Sequence, residues 1–252
     1  MKQLVLFLCL AFSISGVAQN QTLFADATKA YNEGDFETAQ KAYETILKQG
    51  EHSAALYFNL GNTHYKLNHT GPSIYYYEKA LLLSPNDAEI KNNLAFAQQM
   101  TLDAFETIPE TTLGAFFNKI INALGFDQWA KASIACMFLF VLLYVIFYFS
   151  RQPQQKRISF IISLLFLVAT VTTASLGFIN YSNYNKEQPA VVFSAEIQIT
   201  SEPNTNSNAV FTLHEGTKVN VLDTLDDWNK IALVNGQTGW IQSSHLKLLK
   251  NF

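Results

Sequence analysis

The chain has 252 residues, of which 49% are hydrophobic and only 15% charged, and its formal net charge is −3. This balance fits a membrane protein with modest soluble parts and gives no reason to expect nucleic acid as a partner. The two cysteines, Cys9 and Cys136, both lie in apolar stretches, which excludes a disulfide framework within one mature chain.

The first 18 residues have the three parts of a secretory signal peptide. Lys2 gives a positive start, an apolar stretch runs from Leu4 to Ile14, and small residues at positions 16–18 form a cleavage site. We therefore expect residues 1–18 to direct the rest of the chain across a membrane and to take no part in the fold.

The next part of the chain contains an internal helical repeat. Segments 20–53 and 54–87 superimpose at an offset of 34 residues, and a third start follows at 88–100. The second copy resembles a tetratricopeptide repeat, a pair of packed helices, through five signature residues. These residues are Tyr57, Leu60, Gly61, Ala80 and Pro85. The small ones allow two helices to approach closely, and Asn86-Asp87 are placed to cap the helix that follows Pro85.

We expect residues 19–108 to form an all-α repeat domain whose inner face binds a partner, because the resemblance implies a binding scaffold. By the family pattern, that face carries Tyr31, Phe58, Asn62, Tyr65, Lys66, Asn92 and Phe96. The alternative is that the aromatic rings among them are core, as we expect for Tyr57 and Tyr77. Four positions depart from the family pattern: Glu51 stands in place of a proline, Ser73 in place of an alanine, and His64 and Thr70 in place of aromatic residues.

Residues 109–132 predict an amphipathic helix. Apolar residues recur at spacings of three and four from Leu113 to Leu124, while Asn118 and Lys119 occupy the other face. Because a long apolar segment follows, the pattern favours a helix that lies in the membrane interface. The alternative is a helix that caps the repeat array.

Two apolar segments, residues 133–150 and 158–180, contain no charged residue and predict a transmembrane helical hairpin. The connection at 151–157 holds three basic residues, each of which costs roughly 2.5–3.5 kcal/mol at the bilayer centre. With the signal peptide, this predicts a two-pass protein of the inner (cytoplasmic) membrane. Its loop lies in the cytoplasm and both soluble domains face the periplasm. The alternative is a buried core hairpin, which such long uncharged runs disfavour.

Residues 189–250 change to the two-residue period of β-strands, with alternation at 196–200 and 218–221. Turn signals separate these runs. Among them, Asn235-Gly236 is typical of a two-residue hairpin turn in which both positions have positive φ.

The stretch from Leu213 to Leu246 resembles a bacterial SH3-like domain. The resemblance rests on Gly216, Trp228 and the run Gly239-Trp240-Ile241. It implies a small all-β barrel that binds cell-wall peptides or mediates protein contacts, with Trp228 and Trp240 in the barrel core or on a ligand shelf. We expect the barrel to fold without the rest of the chain.

No catalytic constellation is present in the sequence. The histidines at 52, 64, 69, 214 and 245 lack metal-ligand spacing, and neither soluble part has a cysteine nucleophile. No phosphate loop or dinucleotide fingerprint occurs. The sequence therefore predicts no catalytic residue, no metal site and no cofactor, and we expect that the protein is not an enzyme.

The whole arrangement is multi-part: signal peptide, tetratricopeptide helices, transmembrane hairpin and SH3-like barrel. It resembles the BatE-like proteins of the Bacteroides aerotolerance (Bat) operon over nearly the full chain, through this architecture and segments 61–85 and 216–241. The resemblance implies a non-catalytic scaffold linked to oxidative-stress tolerance. Its partners would be other Bat membrane proteins, some with von Willebrand A-type domains. A second hypothesis is a cell-envelope sensor or anchor whose barrel binds peptidoglycan.

Overall fold

A computed structural model describes residues 20–105 and 112–252, which divide into two compact units. The described part of the first unit is residues 20–105 together with 188–252, so it joins the helical repeats to the C-terminal strands. The second unit contains the two long apolar helices. The predicted signal peptide, residues 1–18, lies outside the described residues.

The helices of the first unit follow the predicted repeat. They are α1 (residues 20–32), α2 (Phe36–Lys48), α3 (Ala54–Lys66), α4 (Thr70–Leu83) and α5 (Ala88–Gln98). Side chains of Asp35, Ser53 and Asp87 accept backbone N–H groups at the starts of α2, α3 and α5. These caps satisfy donors that a helix leaves unpaired, so the sequence fixes where each helix begins.

The second repeat packs closely because Gly61 has no side chain. A Cβ atom built on Gly61 would lie 2.6 Å from the ring of Tyr77, which is 1% exposed between α3 and α4. Ser73, one of the departures from the family pattern, donates its hydroxyl to the Gly61 carbonyl at 3.0 Å. The serine therefore adds a buried hydrogen bond where α3 and α4 pack against each other.

The C-terminal strands form a seven-stranded antiparallel sheet of order β3-β2-β6-β5-β4-β1-β7. The strands are β1 (Pro189–Val192), β2 (Glu196–Thr200), β3 (Ala209–His214), β4 (Lys218–Leu225), β5 (Trp228–Ala232), β6 (Thr238–Gln242) and β7 (Leu246–Leu248). In β5 and β6, every second side chain is buried in the barrel, as the predicted two-residue period requires. The buried barrel core includes Ala190, Val192, Ile199, Leu213, Val219, Ile231 and Ile241.

The turn between β5 and β6 differs from the prediction. Only Gly236 has a positive φ, at 82°, and Asn235 does not. The Gly236 N–H donates to the Leu233 carbonyl at 3.0 Å, so the connection is a longer loop with one left-handed glycine. The prediction of a two-residue turn with two positive φ values is wrong, because a lone left-handed glycine also closes a longer hairpin.

Strand β1 joins the barrel to the helices. Ala190 and Val192 point into the barrel core, whereas Val191 belongs to the core between the helices. Leu249, which follows β7, is also fully buried in that helical core. The segments around β1 and β7 therefore contribute to two adjoining hydrophobic cores within the first unit, that of the barrel and that of the helices. The expectation that the barrel folds without the rest of the chain stays a prediction.

The second unit contains α6 (Thr112–Ile121), α7 (Phe126–Phe149) and α8 (Pro153–Lys186). Helices α7 and α8 pack along each other, with the Ser133 hydroxyl donating to the Thr170 carbonyl at 3.2 Å. Both are long and apolar enough to cross a membrane. They extend beyond the predicted segments, and most of the predicted loop 151–157 is helical because Pro153 suits the first turn of a helix.

Candidate functional site

A cleft of about 350 Å³ lies on the helical array between α1, α3 and α5. Five of the seven predicted groove residues line it, namely Tyr31, Asn62, Tyr65, Lys66 and Phe96. The remaining lining residues are Tyr77, Glu89 and Asn93. The structure thus brings five of the seven predicted residues together in one cleft.

Two predicted groove residues lie elsewhere. Phe58 packs against the helical core, with its ring 6.0 Å from that of Tyr77. Asn92 is exposed on α5 and does not line the cleft. For Phe58 the structure thus agrees with the alternative that some of these aromatic rings are core.

An amide network fixes the floor of the cleft. The Tyr77 hydroxyl and the Asn93 side-chain amide, at 2.9 Å, both donate to Asn62 Oδ1. Burial raises the pKa of Tyr77, so its phenol stays protonated and remains a donor. Because Asn62 Oδ1 already accepts two hydrogen bonds, its NH₂ group is the part that can bind a ligand carbonyl.

The rim of the cleft combines aromatic and charged groups. Phe96 is 54% exposed, Tyr65 is half-buried, and Lys66 and Glu89 are exposed on opposite helices. The aromatic rings can stack on a ligand, and the Asn62 amide can donate a hydrogen bond to it. The charges of Lys66 and Glu89 can make electrostatic contacts on two sides of the cleft. This set suits an extended peptide better than a small polar metabolite.

Sequence reasoning missed Asn93 although the signal was present. On α5 the buried residues Ile90, Leu94 and Ala97 define the inward face. At 100° per residue, Asn93 flanks that face and Asn92 points away from it. The spacing of the buried residues therefore predicts the half-buried position of Asn93, and the family pattern alone does not.

The two predicted tryptophans lie on the outer face of the barrel. In β5 and β6 the buried positions are Asn229, Ile231, Gly239 and Ile241, so Trp228 and Trp240 point the other way and are half-buried. Lys230 pairs with Trp240, and Trp228 with Gln242, which makes the tryptophans diagonal neighbours. Neither tryptophan belongs to the buried barrel core, and the surface that they form with Lys230 is here called the shelf. The shelf consists of Trp228, Lys230 and Trp240.

Comparisons with known proteins identify two modules within the chain. The family described as Bacterial SH3 domain matches residues 199–247, and the Tetratricopeptide repeat family matches residues 54–87. A search of curated proteins found no match. Within the described ranges, no group of three or more His, Cys, Asp or Glu side chains is placed to hold a metal ion.

Proposed function

We propose that the protein is a non-catalytic, membrane-anchored adapter whose helical cleft binds a segment of a partner protein. The observation that carries this proposal is the cleft itself. Its aromatic walls, its fixed Asn62 amide and the exposed Lys66 together match the chemistry of an extended peptide. Both matched families are binding modules, which supports a role in binding.

The hairpin supports membrane anchoring, and we propose a two-pass protein of the inner membrane. The basic residues Arg151, Lys156 and Arg157 cluster at the connection between α7 and α8, which favours the cytoplasm for this end. The helical array and the barrel then both face the periplasm. In this topology the cleft is open to periplasmic or membrane-bound partners.

Labelling of introduced cysteines tests this topology. In spheroplasts of a Cys136→Ser background, a membrane-impermeant thiol reagent should label a cysteine at Asn68 or Asn204. It should leave one at Gln154 unlabelled until the membrane is permeabilised. Labelling of Gln154→Cys alone would reverse the proposed orientation.

We further propose that the partners are other Bat-type membrane proteins, including those with von Willebrand A-type domains. The support is the order of modules, which resembles the BatE-like proteins. The adapter would then contribute to oxidative-stress tolerance by assembling that complex.

The adapter proposal is tested by crosslinking and capture from intact membranes. The double variant Tyr65→Ala/Lys66→Ala should lose partner affinity by about thirtyfold, since interface anchors commonly contribute 2 kcal/mol or more. Its helical circular dichroism should be unchanged because neither side chain belongs to the fully buried core. The control Tyr57→Ala removes a fully buried ring and should lower the melting temperature. Undiminished capture by the double variant would contradict a cleft-based adapter.

The outer shelf of the barrel supports a second candidate function, binding of peptidoglycan. Two diagonal tryptophans beside Lys230 offer ring faces to sugars and a cation to a peptide carboxylate. The full chain in detergent should then sediment with purified sacculi, and Trp228→Ala/Trp240→Ala should abolish this. Sedimentation that is equal for this variant and the unchanged chain would remove the shelf from consideration.

A further inference from the structure

A small apolar hollow lies at the end of the hairpin where α7 connects to α8. The hollow has a volume of about 300 Å³ and is lined by Phe147, Lys156, Arg157 and Phe160. The ring centres of Phe147 and Phe160 lie 5.3 Å apart across the two helices. The accessible surface of the hollow is apolar, so the two basic residues contribute their aliphatic stems to it.

Three basic residues lie at this end of the hairpin and have no negative partner there. Arg151, Lys156 and Arg157 are exposed, and none of them makes an ion pair in the described part of the chain. Between Asp127 and Glu187 the sequence contains no acidic residue. Both acids lie at the opposite ends of the two helices, and α7 alone, with 24 residues, is about 36 Å long. The positive charge is therefore uncompensated within the hairpin.

Local contacts hold the hollow and the charges together. Residues 150–152 alone connect the two helices, and the Ser150 hydroxyl donates to Gln155 Oε1 at 3.1 Å. The Lys156 Nζ atom lies 5.7 Å from the centre of the Phe147 ring. This contact keeps the stem of Lys156 against the hollow while the side chain stays exposed. The apolar hollow and the basic residues therefore form one surface.

An anionic phospholipid matches both parts of this surface. Its phosphate supplies the negative charge that the basic residues lack, and one acyl chain can lie in the hollow between the rings. A soluble anion would use the charges and leave the apolar surface uncovered. An acidic peptide would have to enter the hydrocarbon region, because the exposed neighbours Ile158 and Ile161 are apolar. Basic pockets between helices at the cytoplasmic side of a membrane suit anionic headgroups.

We propose that this end of the hairpin is a binding site for one anionic phospholipid. Arg151, Lys156 and Arg157 bind the headgroup phosphate, and an acyl chain lies between Phe147 and Phe160. The proposal rests on the membrane anchoring proposed above and adds a specific lipid as a partner of the hairpin. The bound lipid would hold the connection between α7 and α8 at the level of the headgroups.

Titration with phosphatidylglycerol, followed by native mass spectrometry of the full chain released from detergent micelles, counts the lipids bound. The first phosphatidylglycerol should bind at least about fivefold more tightly than phosphatidylcholine, since a basic residue near an anionic headgroup contributes about this factor. Lys156→Gln/Arg157→Gln should weaken that first binding about tenfold or more. The matched control Lys131→Gln/Lys186→Gln removes two exposed charges at the other ends of the same helices and should leave it unchanged.

A second pair of variants tests the apolar part without changing the charge. Phe160→Ala removes one wall of the hollow and should also weaken the binding of the first phosphatidylglycerol. Phe178→Ala removes an exposed ring elsewhere on α8 and should not. Millimolar glycerol phosphate, the free headgroup, should not displace the lipid, because it has no acyl chain. Helical circular dichroism of every variant should match that of the unchanged chain.

Three results would overturn the proposal. Equal losses for the two charge-removing pairs would assign the effect to net charge, and unchanged binding by Phe160→Ala would exclude an acyl chain from the hollow. Displacement by glycerol phosphate would make the ligand a soluble anion. The cysteine labelling described above separates these results from a failure of the anchoring. The expected labelling without a preference for phosphatidylglycerol contradicts the lipid site alone, whereas reversed labelling with the preference retained contradicts only the topology.

Discussion

Two faces of the helical array use similar residues for opposite purposes. Towards the cleft, Lys66 is exposed and Asn62 keeps its NH₂ group available. Towards the barrel, Lys79 is buried and Asn251 Oδ1 accepts from both Lys79 and Tyr75. The difference lies in what covers each face, since the barrel covers one and nothing in the described chain covers the other. An open polar face is available for binding, whereas a covered and satisfied one contributes to stability.

The covered face continues into the segment after α5. The Asp103 carboxylate accepts hydrogen bonds from the His214 backbone N–H at 2.7 Å and from the Thr217 hydroxyl, and it pairs with His214 Nδ1 at 2.7 Å. Gly216 sits between these residues with φ of 89°, and a Cβ there would lie 2.9 Å from Ile74. This glycine is required both for its backbone conformation and for the close approach of the barrel to α4.

The largest expected effect is that of Asp103→Ala, which tests whether the covered face holds the two modules together. The change removes the acceptor of three hydrogen bonds in a site where the Asp103 side chain is only 10% exposed. Leaving these donors unpaired should cost about 4 kcal/mol of unfolding free energy.

Two signals follow the unfolding of this variant in a Trp129→Phe background. Far-ultraviolet circular dichroism reports the helices, and tryptophan fluorescence then reports the barrel through Trp228 and Trp240. The two transitions should coincide in the parent and shift down together in the variant. Asp223→Ala, on an exposed part of β4, is the matched control and should change stability by less than about 0.5 kcal/mol. A barrel transition that Asp103→Ala does not alter would show that the barrel is independent of the helices.

The stability of the helical array should depend on pH through His64, which is buried on α3. Burial, and then the nearby His69, lower its pKa to about 4 from the ordinary value of 6.5. The unfolded chain therefore binds a proton more readily than the folded one. Stability is full above pH 6.5 and is lost as the pH falls towards 4, by about 3 kcal/mol in total.

Chemical unfolding at a series of pH values measures this loss. The matched variant His64→Phe places an aromatic residue, usual for the repeat family at this position, where the ring stacks on Tyr76. Its stability should not fall over the same window. Titration of the Asp103 carboxyl does not contribute to the loss of stability in this pH range. Burial raises its pKa, but hydrogen bonds from Thr217 and His214 outweigh burial, so the pKa is lowered and it titrates below the window. An equal acid loss in His64→Phe would assign the effect to other groups.

The sequence predicted the repeats, the hairpin and the barrel because each depends on local periodicity. Gly61, Ala80 and Tyr57 mark the repeat within 34 residues, and the alternation of β4 marks the strand. Most of the cleft was also predicted, since one helix face follows from one repeat unit. The covered face was not predicted, because Asp103 and His214 lie 111 residues apart and the pair Lys79 and Asn251 172 residues apart. No local pattern shows that a buried lysine on α4 will meet a distant asparagine.

Truncation of Trp240, on the shelf of the barrel, should lower the unfolding free energy by less than the changes above. If Trp240 lay in the barrel core, the change Trp240→Ala would unfold the barrel. Because the side chain is half-buried on the outer face, the expected cost is about 1.5 kcal/mol, below the roughly 3–5 kcal/mol of a buried ring. Ile241→Ala, one residue along and 1% exposed, should cost more despite its smaller side chain. Thermal unfolding followed by circular dichroism gives both values, and a larger loss for Trp240→Ala would return this residue to the core.

The smallest expected effect is that of Lys66→Ala, which tests the open face directly. Lys66 is exposed at the end of α3 and makes no ion pair in the described ranges, so its removal should change the unfolding free energy by less than about 0.5 kcal/mol. Its loss should nevertheless weaken partner capture, because a binding face contributes to affinity without contributing to the fold. The matched control is Lys41→Ala. Lys41 is exposed on α2 and does not line the cleft, so its removal should change neither the unfolding free energy nor partner capture. If Lys66→Ala destabilises the chain as Asp103→Ala does, the cleft is part of the structural framework and the contrast between the two faces does not hold.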